Sequence, residues 1–255
     1  SVIKLLKPSF GFELYTRSDI AVGSGLGGSA VMVAAIIGAF NVFREETLSS
    51  YEIAELAYQA ERIESNISGG WQDQYATVFG GVNFIEFSEK ENVVHPLRIS
   101  GSILAELESN LLLCNTGVLH QSGDIHLDQK IQMQKADIQV LAEKSKDIAY
   151  ELKTKLLKNK LDDFGHLLHQ AWGIKKQFSN KISNSKIDEL YQLAIDKGAY
   201  GGKLLGAGGG GYLLFYVPYQ NRHQVVQALQ LKGVAIEPFQ FQSEGLYAWP
   251  SGGQS

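Results

Sequence analysis

The residues able to do chemistry gather in two glycine-rich loops and a short segment between them. From Gly23 to Ala30 the sequence reads GSGLGGSA and runs into the nearly unbroken apolar stretch AVMVAAIIGAFNVF. Glycine lets a backbone approach an anion closely, because no Cβ stands in the way. A helix opening behind such a turn adds unpaired N–H groups and the positive end of its dipole. A second cluster, KLLGAGGGGYLLFY, covers 203–216 and lies between strand-like flanks. Five glycines, Gly206 and Gly208 through Gly211, argue for close approach to something. Together the loops point to a ligand carrying phosphate, either a nucleotide or a sugar phosphate. Between them, Asp73 follows the glycine turn SGG at 68–70 and precedes a helical pattern. A carboxylate there sits at a helix N-terminus, where it can serve as a helix cap.

Two commoner phosphate motifs fit poorly. Gly23, Gly25 and Gly28 match G-x-G-x-x-G, with Glu45 and Glu46 downstream where a ribose contact would fall. The dinucleotide fold would continue with parallel strands, whereas the next regular segment here has helical spacing. A P-loop needs G-K-[ST] after its glycines, and none follows.

The elements that must position these residues follow from periodicity and punctuation. FGFELYT (10–16) alternates like a strand, and a buried helix is expected over 29–43. Residues 51–66 carry an apolar stripe at Ile53, Leu56, Ala57, Ala60 and Ile63. Ser49 or Ser50 is placed to cap that helix, Glu52 falls in its first turn, and SGG ends it. VNFIEF (82–87) and VVHPL (93–97) read as a strand pair, the second at an edge because of Pro96. LLLCN (111–115) is a third strand. Helical patterns follow over 124–157, 161–178 and 184–197, then a strand at 212–217, a helix at 220–231 and a strand at 234–241. This order implies two α+β lobes, residues 1–120 and 121–250, with a disordered tail at 251–255.

Composition narrows the function further. The chain has 255 residues, 44% apolar and 20% charged, with a net charge of −4. Such a balance suits a globular protein and argues against a nucleic-acid partner, which needs a basic face. The single cysteine, Cys114, lies in an apolar run and cannot form an internal disulfide, so a reducing, cytoplasmic setting is expected. No stretch reaches the roughly eighteen apolar residues of a membrane span, and no secretory leader is expected from the opening residues. The opening SVIKLLKPSFGFELYT reads like the middle of a domain, so residues upstream are expected. His166 and His169 lack a convincing metal-ligand spacing.

These motifs in this order resemble the galactokinase, homoserine kinase and mevalonate kinase (GHMP) superfamily. GSGLGGSA is similar to its phosphate loop, P-x-x-x-G-L-G-S-S-A. QAERIESNISGGWQDQYATVFGG resembles its central segment, and GGKLLGAGGGGYLLFY its C-terminal glycine motif. DQYA, FGG, GAGGGG and FGHLLHQAWGIKKQFSN look most like the branch that phosphorylates heptose 7-phosphate. The resemblance spans nearly the whole chain. It implies an N-terminal lobe like domain 2 of ribosomal protein S5 and a ferredoxin-like α+β C-terminal lobe, with the start of the first lobe missing.

What the resemblance implies for the site is specific. ATP would be held by Gly23, Ser24, Gly25, Leu26, Gly27, Gly28, Ser29 and Ala30. Mg²⁺ would be held by Ser29 and Glu61, with Glu64 the alternative, and Asp73 would be the catalytic aspartate. Gly208, Gly209 and Gly210 would line the substrate end of the cleft. Lys175 or Lys176 could meet a sugar-borne phosphate, and Thr116, with Gly117, Ser122 and Gly123, could touch substrate. The expected partners are ATP and a small sugar phosphate, with no nucleic acid or membrane; monomer and homodimer both stay open. The reaction expected is transfer of the γ-phosphate to the anomeric hydroxyl of a heptose 7-phosphate. A fucose or hexose kinase, or a non-catalytic sugar- or nucleotide-binding homologue, is the alternative. The chain departs from the family at Ala21 and Val22, where proline is usual, and at Gly28, where the first serine of S-S-A stands.

Overall fold

A computed structural model describes residues 1–19, 24–118 and 122–251, with side chains at 122–124 left aside. The expectations for Ala21, Val22, Gly23, the side chain of Ser122 and the tail beyond residue 251 therefore lie outside the described residues. The described residues form two compact units, one from 1–19, 27–97 and 242–251, the other from 24–26, 98–118 and 122–241.

The first unit is mainly helical. A short helix α1 (Val2–Leu6) packs on α2 (Gly28–Asn41), whose buried residues include Ala30, Ala34, Ile37 and Phe40. Helix α3 (Ser50–Tyr58) begins at a complete capping box: Ser49 Oγ accepts from Glu52 N, and Glu52 returns a carboxylate to Ser49 N. Such a cap stabilises a helix by about 1 kcal/mol. The helix does not continue as a regular α-helix to residue 66. It passes into a π-helix, Gln59–Glu64, and the chain turns at Asn66, with φ 51°, before the SGG sequence is reached. Helix α4 (Gln72–Phe79) follows, then the antiparallel hairpin β1 (Asn83–Phe87) and β2 (Asn92–Pro96). The core of this unit gathers Ile37, Ala54, Ala57, Tyr75 and Val78. The returning segment 242–251 joins it through Gly81 N to Gln242 O and Leu246 N to Val78 O.

The strand expected over 10–16 does not form. No described strand pairs with this segment; Phe10 and Phe12 instead pack their rings on Phe40 while staying near half exposed. Alternation made the segment fit a strand, but a strand also needs a ladder partner.

The second unit is an antiparallel sheet covered by helices. Helix α5 (Gly101–Asn110), capped by Ser100, lies where the sequence reading assigns no element. It leads into β3 (Leu111–Asn115). Helices α6 (Ser122–Gln132), α7 (Ala136–Leu157), α8 (Leu161–Lys175) and α9 (Ser185–Asp196) follow. Strands β4 (Gly201–Leu204) and β5 (Tyr212–Tyr216), helix α10 (Tyr219–Leu231) and strand β6 (Ala235–Glu237) complete it. The strand order is β4-β5-β3-β6 with every pair antiparallel. From β3 onward this is the β-α-β-β-α-β arrangement of a ferredoxin-like lobe. No parallel pair occurs among the described strands, which removes the dinucleotide-fold reading of the first glycine loop. Strand β6 stops before Pro238, which has no N–H to give a ladder.

The compact units divide after residue 97. Strand β3 sits between β5 and β6, so residues 98–115 belong with the second sheet. Leu112, Trp172, Ile187, Leu204, Phe215 and Leu229 form its core. Cys114 is fully buried there, and desolvation pushes its thiol up to about 12, so it behaves as a packing residue. Among the described residues, no helix is long and apolar enough to cross a membrane.

Candidate active site

In the first unit, the start of α2 and the start of α4 meet. Gly27 occupies the N-cap of α2 in the left-handed region, φ 74°, and offers no side chain to cap it. The N–H groups of the first helical turn, including those of Ser29 and Ala30, lie ahead of the intrahelical ladder and face outward along the axis. A Cβ placed on Gly27 would stand 3.6 Å from Cβ and Cγ of Asp73 and 3.9 Å from its Oδ1. The carboxyl of Asp73 thus lies against the loop, two residues ahead of exposed Ser29. Asp73 is the second residue of α4, and Trp71 holds the N-cap position. Its charge complements the helix dipole, but it is not the capping residue. Trp71 stacks flat on Tyr58, ring centroids 3.4 Å apart, which ties the start of α4 to the end of α3.

Glu61 lies in the π-helix, a local form that is rare and common at functional positions. That π-helix packs on α2, as α4 does. Only 3% of Glu61 is exposed. Its Oε2 accepts from Gln74 Nε2 at 2.6 Å, and its Oε1 faces Arg62 Nη1 at 3.4 Å. Arg62 in turn donates to the carbonyls of Ser68 and Gly70, so the same guanidinium steadies the glycine turn that leads to Asp73. The remaining lone pairs of Glu61 are oxygen donors of the kind Mg²⁺ takes, as a hydroxyl such as that of Ser29 would be. Beside them Gln74 Oε1 is buried with no hydrogen-bond partner among the described residues. The residues present therefore fit a hydrated divalent cation. Glu64, the alternative, is paired with Lys4 at 3.0 Å.

In the second unit, the two glycine loops touch. Gly206 has φ 65°, and a Cβ on it would lie 2.7 Å from the carbonyl oxygen of Gly25. Only glycine allows that approach. Ser24 Oγ accepts from Leu26 N at 3.4 Å, which rounds the loop on itself. Farther along, the glycines approach the chain's own backbone: Gly209 N donates to Ile182 O, and Gly211 N to Val118 O, each at 2.8 Å. Close approach by Gly208 and Gly210 is thus accounted for by Ile182 and Val118.

Two side chains expected at substrate contact the second glycine loop and its flanks. Thr116 Oγ1 donates to Gly211 O at 2.7 Å and is buried, so it clamps the end of the glycine loop. Lys175 Nζ donates to Leu204 O at 3.0 Å and Gly206 O at 2.7 Å, joining α8 to the loop's start. Lys176 pairs with Asp188 at 3.1 Å. An ammonium on a long stem reaches backbone carbonyls as readily as phosphate, and nothing in spacing separates the two. No motif in the sequence marks Gln74 or Arg62 for a role. Their signal was a polar residue at a core-facing helical position, visible only once the helix faces are known. Gly28, where the family carries serine, has open space around its Cβ position.

Comparison with known proteins places the chain in a family. Residues 1–81 match the GHMP kinases N terminal domain, and residues 152–235 match the GHMP kinases C terminal domain. The chain is 38% identical over 244 residues to D-glycero-alpha-D-manno-heptose 7-phosphate kinase of Campylobacter jejuni, covering 95% of this chain and 72% of that protein. A D-glycero-D-manno-heptose 1-phosphate kinase from Bacteroides thetaiotaomicron superposes with a TM-score of 0.70 at 32% identity, over 90% of this chain and 64% of that one. Lactococcus lactis galactokinase, solved with galactose, shares the fold: TM-score 0.69, 16% identity, 96% of this chain and 73% of that one. This chain belongs to the GHMP kinase family. It spans roughly two thirds to three quarters of the length of these relatives.

Proposed function

We propose that the protein is an ATP-dependent sugar kinase that phosphorylates the anomeric hydroxyl of a heptose 7-phosphate. The observation that carries this reading is the Asp73 carboxyl lying against Gly27 of the GSGLGGSA loop. Phosphoryl transfer runs through a loose transition state, so the protein's part is positioning and charge neutralisation. Loop N–H groups ahead of α2 hold the nucleotide phosphates. The Asp73 carboxylate orients the sugar hydroxyl and takes its proton as the hydroxyl oxygen bonds to the γ-phosphorus and ADP leaves. Mg²⁺ would be held by Glu61 and Ser29 and would supply neutralisation of the phosphate charge. Both substrates are charged metabolites of the cell interior, which makes the cytoplasm the fitting location.

A free sugar such as fucose is the second reading. It is favoured by the engagement of Lys175 with backbone carbonyls and of Lys176 with Asp188. ADP release measured with heptose 7-phosphate, free heptose, fucose and galactose separates the two. The first reading requires the 7-phosphate to be used best by kcat/KM. Preference for fucose over the heptose phosphate supports the second, and no turnover of any sugar contradicts both.

Glu61→Gln keeps the side chain's shape and removes its charge. The Mg²⁺ concentration for half-maximal rate is expected to rise more than about tenfold. Arg62 loses its partner as well, and breaking a buried pair costs about 3–5 kcal/mol, so the melting temperature falls too. An unchanged Mg²⁺ requirement would remove Glu61 from the metal site.

A further inference from the structure

Gln74 is a deeply buried polar side chain of the first unit, with none of its surface exposed. It stands next to Asp73 in α4, yet it projects to Glu61 in the π-helix, thirteen residues back. Its amide N–H donates at 2.6 Å to Glu61 Oε2, a charge-assisted bond at the short end of the range. This assigns the amide, since a carboxylate can only accept. The amide oxygen, Oε1, is then left buried with no partner among the described residues. A buried acceptor without a donor costs about 1–3 kcal/mol, and a hydrophobic residue of that size would avoid the penalty. The side chain is therefore poor as packing and well suited to hold two things at once.

We propose that Gln74 is a positioning residue for the divalent cation that accompanies the nucleotide. Its N–H sets the rotamer of Glu61, and its Oε1 accepts a hydrogen bond from a water in the cation's shell. Arg62, on the other carboxylate oxygen, prevents Glu61 from rotating away. This inference rests on the reading of Glu61 as a metal-holding carboxylate and adds what keeps that carboxylate in place. Partners of metal ligands typically contribute about 10–100-fold in metal affinity.

The test uses Mn²⁺ as the probe, because its free and bound forms differ in their electron paramagnetic resonance signal. Mn²⁺ is titrated into the protein saturated with a non-hydrolysable ATP analogue, for wild type, Gln74→Leu, Gln74→Glu and Glu61→Gln. Gln74→Leu removes both amide groups at similar volume, and is expected to weaken Mn²⁺ by about 10–100-fold. Analogue affinity measured without metal stays as in wild type, and raised Mg²⁺ recovers kcat in part. Gln74→Glu keeps an acceptor but sets a second carboxylate against Glu61, and is expected to alter Mn²⁺ affinity and the bound spectrum. If Mn²⁺ affinity in Gln74→Leu equals wild type while only the melting temperature changes, Gln74 is a packing residue and the inference fails. If Glu61→Gln also binds Mn²⁺ normally, the reading beneath it fails as well.

Discussion

Asp73→Asn is expected to abolish nearly all sugar-dependent turnover while leaving ATP binding as in wild type. The substitution keeps size and helix position and removes the carboxylate's charge together with its ability to take a proton. A positioned general base contributes about 10²–10⁴-fold, so kcat should fall by that factor, equivalent to about 3–5 kcal/mol in barrier. Asp73 lies on the surface of the Gly27 turn without being needed as a cap, because Trp71 holds that position in α4. Folding should therefore be little affected, and a melting curve checks this. Steady-state kinetics give the result: a collapse in kcat with KM for ATP unchanged supports the assignment. Equal kcat in the two proteins would mean that another group takes the proton.

The second large effect is expected at Gly206→Ala, far from Asp73 in sequence. Alanine at φ 65° costs about 1–2 kcal/mol in backbone strain. Its Cβ would also stand 2.7 Å from the Gly25 carbonyl oxygen, closer than such atoms can approach. Strain alone lowers stability; the clash displaces the loop that is read as holding the nucleotide phosphates. A misplacement of about 1 Å at a reacting group can cost on the order of 10²-fold. Calorimetric titration with an ATP analogue should show affinity reduced by about 10–10²-fold. Gly173→Ala is the control, since its Cβ on α8 meets open space. Wild-type affinity in Gly206→Ala would detach the second loop from nucleotide binding.

The glycine loops, a serine cap at Ser49 or Ser50 and strand LLLCN were legible because each is dictated locally. A positive φ demands glycine, a first-turn N–H demands a cap, and a fully buried strand demands a continuous apolar run. What escaped the sequence depended on partners distant along the chain. FGFELYT has the alternation of a strand and lacks a ladder. The π-helix at 59–64 follows a segment whose apolar stripe looks regular. The bonds of Lys175 and Thr116 to carbonyls of the second glycine loop and its flanks likewise join residues far apart in the chain. The pair of Gln74 and Glu61 needs two helices placed face to face, and no residue pattern states that. Family resemblance supplied Asp73 and Glu61 as site residues, and the contacts to Gly27 and Gln74 give each a physical setting.

Phosphorus NMR of the reaction mixture tests the kinase reading most directly. With ATP, Mg²⁺ and heptose 7-phosphate, a new phosphate resonance coupled to the anomeric proton should grow as ADP forms, while the 7-phosphate signal persists. ADP appearing with inorganic phosphate alone, and no sugar-linked resonance, would contradict transfer to the sugar and reduce the site to one that merely hydrolyses ATP.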